Sequence, residues 1–170
     1  LKLSHISAGG SIAMVDISEK QVSVRSASAE ALVRMNPDAE AALRGAILPK
    51  GDALVAAQIA GIMAAKQTAA LIPLTHPLPL SSVDVGFDWR GDGLFRVEAE
   101  ARTTARTGVE MEAMVAACVA ALTIYDMLKA SDKAITIESV RLLKKSGGKS
   151  GNWRAEDDKK RSGKKKKKKK

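Results

Sequence analysis

Along residues 20–35, apolar positions (Val22, Val24, then Leu32 and Val33) alternate with small polar residues, a two-residue period that predicts a long strand. Asn36-Pro37-Asp38 interrupts it, and 38–44 reads as a short helix closed by Gly45. Pro49-Lys50-Gly51-Asp52 opens a second helix from Ala53 to about Leu71, with Asp52 as its N-cap. Pro73, Pro77 and Pro79 end that helix and hold the next loop extended. Residues 82–89 and 94–103 alternate again as two strands around the hairpin signal Arg90-Gly91-Asp92-Gly93. An Ala-rich apolar helix over 107–129 follows, then a last strand over 134–144 and a glycine-rich loop over 146–151. Residues 1–19 read as irregular, broken at Gly9-Gly10, with His5 on the surface. The order strand, helix, strand, strand, helix, strand predicts an α+β, ferredoxin-like split βαβ fold. It would be an antiparallel four-stranded sheet with helices packed on one face.

The long helix carries charge only near its ends, Glu110 and Glu112 at the start and Asp126 and Lys129 at the finish. If it is continuous, Glu112 and Asp126 stand fourteen steps of roughly 1.5 Å, or about 21 Å, apart. Asp126 and Lys129 are three apart and share a face, as a simple surface ion pair or as an acid–base pair in a cleft. Glu110 and Glu112 fall on opposite sides of a helix but on one side of an extended segment. The approach is therefore expected to be partly extended, with the helix starting near Glu112. If both ends serve one reaction, the second end comes from another subunit.

Charge changes the picture only at the C-terminus. The formal net charge is +9, but residues 159–170 carry ten of the 28 Lys and Arg and none of the 19 acids. The remainder holds 18 cations against 19 acids, a balance of −1. That splits the chain into one domain over 1–158 and a self-repelling, disordered basic tail over 159–170. The tail could touch polyanions only non-specifically. Cys118 is alone, which suits a reducing cytoplasm, and neither a signal pattern nor a charge-free membrane run is seen.

Candidate chemistry collects at loop positions. Lys50 precedes a helix N-terminus, where free N–H groups favour anions. Lys145 and Lys149 flank Gly147-Gly148, and Arg25 and Arg106 could join them in a phosphate site; a solvated loop is the alternative. The loop is no Walker A motif, because Leu143 stands where its first glycine belongs. His76, between Thr75 and Pro77, is an acid–base candidate or a loop histidine bonding its own backbone. Glu110 and Glu112 could also simply complement the helix dipole. Two histidines and one cysteine give no metal-ligand spacing, so neither metal nor cofactor is expected.

Several strings together resemble the cyclic pyranopterin monophosphate synthase family of molybdenum cofactor biosynthesis. They are Lys50-Gly51-Asp52, Ile59-Ala60-Gly61-Ile62, Leu71-Ile72-Pro73-Leu74-Thr75-His76-Pro77-Leu78, Thr107-Gly108-Val109-Glu110-Met111-Glu112-Ala113, Leu122-Thr123-Ile124-Tyr125-Asp126-Met127 with Lys129, and Lys145-Ser146-Gly147-Gly148-Lys149-Ser150-Gly151. The resemblance covers roughly residues 3–155. It implies conversion of 3′,8-cyclo-7,8-dihydroguanosine 5′-triphosphate to cyclic pyranopterin monophosphate with release of pyrophosphate. It also implies a homohexamer, a trimer of dimers, with active sites at subunit interfaces.

Carried over by position, Lys50, Asp126 and Lys129 are implied to be catalytic. Thr75, His76, Glu110, Met111, Glu112, Lys145, Arg25 and Arg106 are implied to bind substrate. In this scheme Lys129, poised by Asp126, moves protons, Lys50 and Lys145 hold the triphosphate, and Glu110, Glu112 and His76 orient the ring and sugar. One position departs: the family usually has cysteine where this chain has Thr75, a poorer acid and nucleophile of similar size. The competing class, an RNA-binding ferredoxin-like sheet, needs aromatics on its central strands. With 3% aromatics, Phe87, Trp89 and Phe95 make no such string, and no specific nucleic acid or membrane partner is expected.

Overall fold

The computed structural model describes residues 12–45, 51–149 and 151–155. The chain runs β1 (Ser23–Arg34), α1 (Pro37–Gly45), α2 (Ala53–Lys66), α3 (Thr68–Leu71), β2 (Leu80–Gly91), β3 (Leu94–Ala105), α4 (Glu110–Leu128), β4 (Thr136–Ser146) and β5 (Trp153–Arg154). The sheet order is β2-β3-β1-β4-β5 with every pair antiparallel. The first four strands give the expected ferredoxin-like topology. The two-residue β5 adds a fifth strand, turned back onto Lys144 and Lys145. Gly147, Gly148 and Gly151, all at positive φ, make that reversal possible.

Local chemistry explains the boundaries. The Asp52 carboxylate accepts from the Leu54 and Val55 N–H groups at 2.8 and 3.1 Å, as an N-cap should. The expected helix to Leu71 instead breaks at Gln67, whose N–H turns back to Ala64 and Ala65. The buried Thr68 hydroxyl then donates to the Ala65 carbonyl at 3.0 Å and starts the four-residue α3. β1 starts at Ser23 rather than at Lys20, because Ile17 to Lys20 closes a turn through Lys20 N–H to Ile17 C=O. Asp92-Gly93 makes the β2–β3 hairpin, with Gly93 at φ 67° where an added Cβ would sit 2.5 Å from the Met35 carbonyl.

Small residues build the core. Ala27, Ala29, Ala31 and Val33 of β1 and Phe95, Val97, Ala99 and Ala101 of β3 face α4, which answers with Ala113, Ala116, Ala117, Ala120, Ala121 and Ile124. Residues this short let the helix lie close on the sheet. Gly61 repeats the device between helices, its missing Cβ leaving room for the Ala116 carbonyl at 3.0 Å. By length and composition α4 could cross a membrane, but half of that stretch is buried inside this fold. Among the described residues, the opposite face of the sheet carries no helix. It is covered by charge pairs centred on Glu30, which is 5% exposed, accepts from Arg141 at 2.7 Å and lies 3.5 Å from Arg96. Phe87, Trp89 and Phe95 pack into the core side instead, Trp89 edge-on to Phe95.

Candidate functional site

At one end of the sheet β1 begins, β3 and β4 end, and α4 begins. These termini enclose a cleft of about 950 Å³. Lys20, Arg25, Arg106, Lys145 and Lys149 line it against the acids Glu19 and Glu110. Five cations facing two carboxylates give a positive concavity that suits a polyanionic ligand.

The loop after β4 shapes the wall. Gly147 and Gly148 turn at φ 90° and 71°, so close to β1 that Cβ atoms there would fall 2.3 Å from the Val24 carbonyl and 2.1 Å from Arg25 Nη1. Arg25 in turn donates from Nε to the Ala105 carbonyl at 3.1 Å and from Nη2 to the Arg106 carbonyl at 3.3 Å. The guanidinium is thus fixed between two strand ends and the glycine loop. Lys145 Nζ donates to Glu110 Oε1 at 2.8 Å, with both side chains about three-tenths exposed (29% and 28%). A ligand phosphate entering here would compete with Glu110 for that ammonium.

α4 starts at Glu110, two residues before the expected start, so both acids lie on the helix and only 107–109 precede it as non-helical chain. The two acids are therefore turned roughly 200° apart. Glu110 faces the cleft; Glu112 is 3% exposed, on the buried side. Burial pushes the Glu112 carboxyl above its usual range and the charge of Glu110 adds to this, while a hydrogen bond from its own N–H opposes them. Met111, between them, is partly exposed.

Thr75 and His76 lie in the loop between α3 and β2. The Thr75 hydroxyl donates to the Ile72 carbonyl at 2.9 Å, bracing its own loop. Asp16 lies in the segment ahead of β1, where its carboxylate accepts from the Ser18 N–H at 2.8 Å. Hydrogen bonds from Ser18 chiefly hold the Asp16 carboxyl below its ordinary value, and the charges of His76 and Lys20 lower it further. Sequence reasoning missed Asp16, Glu19 and Lys20 because Lys20 was assigned to the strand and the residues before it to irregular chain. A lysine just ahead of the first strand was the only available signal. Ser23 adds a buried hydroxyl to the same wall, without a hydrogen-bond partner among the described residues.

Asp126 and Lys129 occupy the other end of α4. Lys129 Nζ lies 2.7 Å from Asp126 Oδ1, and both side chains are about half exposed (52% and 53%). The hydrogen bond to Asp126, with its charge, holds the Lys129 ammonium above its ordinary value, so the group is protonated near neutrality. The 19-residue α4 is about 28 Å long, which keeps this pair out of its own chain's cleft. The fold thus brings Arg25, Arg106, Glu110 and Lys145 together and leaves Asp126 and Lys129 at the far end. Lys50 lies outside the described residues, as do His5 and the tail.

The profile of the MoaC family matches residues 14–148. A protein of Corynebacterium glutamicum strain R named cyclic pyranopterin monophosphate synthase is 51% identical over 155 residues, 91% of this chain and 99% of its own. The protein of that name from Corynebacterium efficiens is 52% identical over 152 residues, 89% of this chain and 97% of its own. The one from Pelobacter propionicus is 51% identical over 158 residues, covering 92% and 99%.

Proposed function

The chain belongs to the MoaC family, and we propose that it is a cyclic pyranopterin monophosphate synthase of molybdenum cofactor biosynthesis. In this reading it is a lyase that converts 3′,8-cyclo-7,8-dihydroguanosine 5′-triphosphate to cyclic pyranopterin monophosphate and releases pyrophosphate. The observation that carries it is the cleft, where five cations and the Gly147-Gly148 turn offer a seat for a triphosphate. Lys145, Arg25 and Arg106 hold the phosphates and stabilise charge on the departing pyrophosphate. Lys50, from the segment ahead of α2, shares that task. Glu110, Met111, Glu112, Thr75 and His76 frame the guanine-derived ring and the sugar.

Lys129, paired with Asp126, moves protons as the ring system opens and recloses. It reaches a cleft only in another subunit, because α4 separates it from its own by about 28 Å. The family resemblance implies that the working form is a homohexamer, a trimer of dimers, acting in the cytoplasm. Residues 1–158 form the catalytic domain, and removal of 159–170 leaves turnover unchanged. Thr75 supports the loop rather than the chemistry, since its hydroxyl is already engaged with Ile72.

The test is single-turnover conversion of the cyclised GTP derivative, following both the cyclic phosphate product and pyrophosphate. Wild type, Lys145→Ala, Lys129→Ala and Thr75→Cys chains are compared. Product from wild type and Thr75→Cys alike, with large losses in both lysine variants, is the expected result. No product from the wild-type chain, or near wild-type turnover in Lys129→Ala, would refute the assignment of activity or of that residue respectively.

A further inference from the structure

Among the described residues, Ser23 Oγ is the one buried side-chain nitrogen or oxygen with no hydrogen-bond partner. Buried polar groups are nearly always paired, so an unpaired one needs a reason. This fold pairs its other buried hydroxyls. Ser28 donates to Glu98 Oε1 at 3.0 Å, Thr68 to the Ala65 carbonyl at 3.0 Å, and Thr103 to the Pro79 carbonyl at 2.7 Å. Ser23 has given up water and received nothing in exchange.

Its position indicates the missing partner. Ser23 opens β1, opposite Ala105 at the end of β3, and lines the cleft between Lys20 and Arg25. Residues two apart in a strand share a face, so Ser23 stands on the same side of β1 as Arg25. The Arg25 guanidinium is fixed there by the Ala105 and Arg106 carbonyls. Ala27 follows on that face, and Lys145 pairs with it from β4. The hydroxyl thus belongs to the stretch of wall that carries the cations. The residue as a whole is only half-buried, so its oxygen is turned inward while the rest of it meets the cleft. Rotation about one bond, between staggered positions, is all a ligand needs to recruit it.

A ligand in this cleft already competes for other groups. Lys145 is bonded to Glu110, and the Thr75 hydroxyl to the Ile72 carbonyl. Ser23 has no bond to surrender, so a hydrogen bond formed with a ligand there is a net gain. A hydroxyl donating to an ionised oxygen makes one of the stronger such bonds and gives direction that a lysine's point charge lacks.

We propose that Ser23 is a phosphate-binding residue of the cleft, donating its hydroxyl to a non-bridging oxygen of the substrate's triphosphate beside Arg25. That the anion is a triphosphate rests on the functional reading above. That it is an anion rests on the unpaired hydroxyl and the cations lining the same wall.

The test measures binding of inorganic tripolyphosphate to the full chain by calorimetry, with thermal melts of the free protein. Ser23→Ala should weaken binding about tenfold. The same variant should melt at or above the wild-type temperature, because an unpaired buried group has been removed. Ser23→Thr keeps the hydroxyl and suits a strand, and it should bind within about threefold of wild type. In turnover, Ser23→Ala should raise KM about tenfold and hold kcat within about twofold, since the contact is already made in the bound ground state.

Equal tripolyphosphate affinity in wild type and Ser23→Ala would overturn the proposal. A hydroxyl that merely holds a buried water gives that result. Weaker binding accompanied by a lowered melt, or equal losses in Ser23→Ala and Ser23→Thr, would overturn it too, as would a wild-type chain that does not bind tripolyphosphate. The predicted affinities without any wild-type turnover would sink the functional reading and keep the phosphate contact. Wild-type turnover with the same KM in Ser23→Ala would do the reverse.

Discussion

Gly147→Ala tests whether the glycine turn shapes the cleft. At φ 90° an alanine is strained, by about 1–2 kcal/mol. Its Cβ would also meet the Val24 carbonyl oxygen at 2.3 Å, where real Cβ contacts do not fall below 3.0 Å, so something moves by at least 0.7 Å. Val24 belongs to a strand paired to β3, whereas the turn after β4 is held more loosely, so the turn is what moves. It carries Lys149 with it and disturbs Arg25, whose Cγ lies 3.3 Å from the same Cβ position. A misplacement approaching 1 Å at positioning groups costs on the order of 100-fold in rate. That corresponds to about 2.7 kcal/mol of transition-state stabilisation.

The assay is single-turnover conversion with a thermal melt alongside. At about 2–4 °C per kcal/mol for a domain of this size, the backbone strain alone lowers Tm by about 2–8 °C. Gly151→Ala separates the two effects. Gly151 has positive φ, 63°, but an added Cβ meets nothing within 4 Å, and the residue does not line the cleft. It should lose a similar few degrees and keep its turnover. Turnover of Gly147→Ala within about threefold of wild type, or an equal loss in Gly151→Ala, would refute the reasoning.

Other predictions are shorter. Asp52→Ala removes both side-chain hydrogen bonds at the start of α2 and should cost about 1 kcal/mol, read as a fall in the urea midpoint. Ile124→Ala, at a fully buried position under the sheet, should cost about 2–5 kcal/mol by the same measurement. The raised Glu112 carboxyl means the folded state keeps its proton to higher pH than the unfolded chain. Its contribution is thus fully present below the ordinary value of 4.5 and declines as pH rises until the folded carboxyl ionises too. Glu112→Gln should flatten that decline above pH 4.5, and an unchanged slope would remove Glu112 as its source.

Topology was legible because each element carried its own period or stop signal. Alternation marked the strands, Asp52 marked the start of α2 although nothing marked its break at Gln67, and Arg90-Gly91-Asp92-Gly93 marked the hairpin. What local pattern could not supply was the start of α4. Val109 offers no side-chain cap, so nothing in the sequence distinguishes a helix beginning at Glu110 from an extended entry. That single turn decides the fate of two acids. Beginning at Glu110 sends one carboxylate to Lys145 and the other into the interior, where an extended entry would have aimed both the same way. β5 escaped notice for a related reason: a two-residue strand has no period, and only the positive-φ glycines before it announce a reversal.

The site divides along the same line between local and distant causes. Lys145, Arg25 and Arg106 could be grouped from sequence only by chemical type, since about eighty residues separate Arg25 from Arg106. The antiparallel pairing of Ser23 with Ala105 and of Ser26 with Ser146 is what brings their strand ends together. Helix length, by contrast, was readable without any structure, and it already forbade Asp126 from meeting Glu110 in one chain. The rigid α4 keeps that separation fixed. Chemistry that uses both of its ends must draw them from two copies.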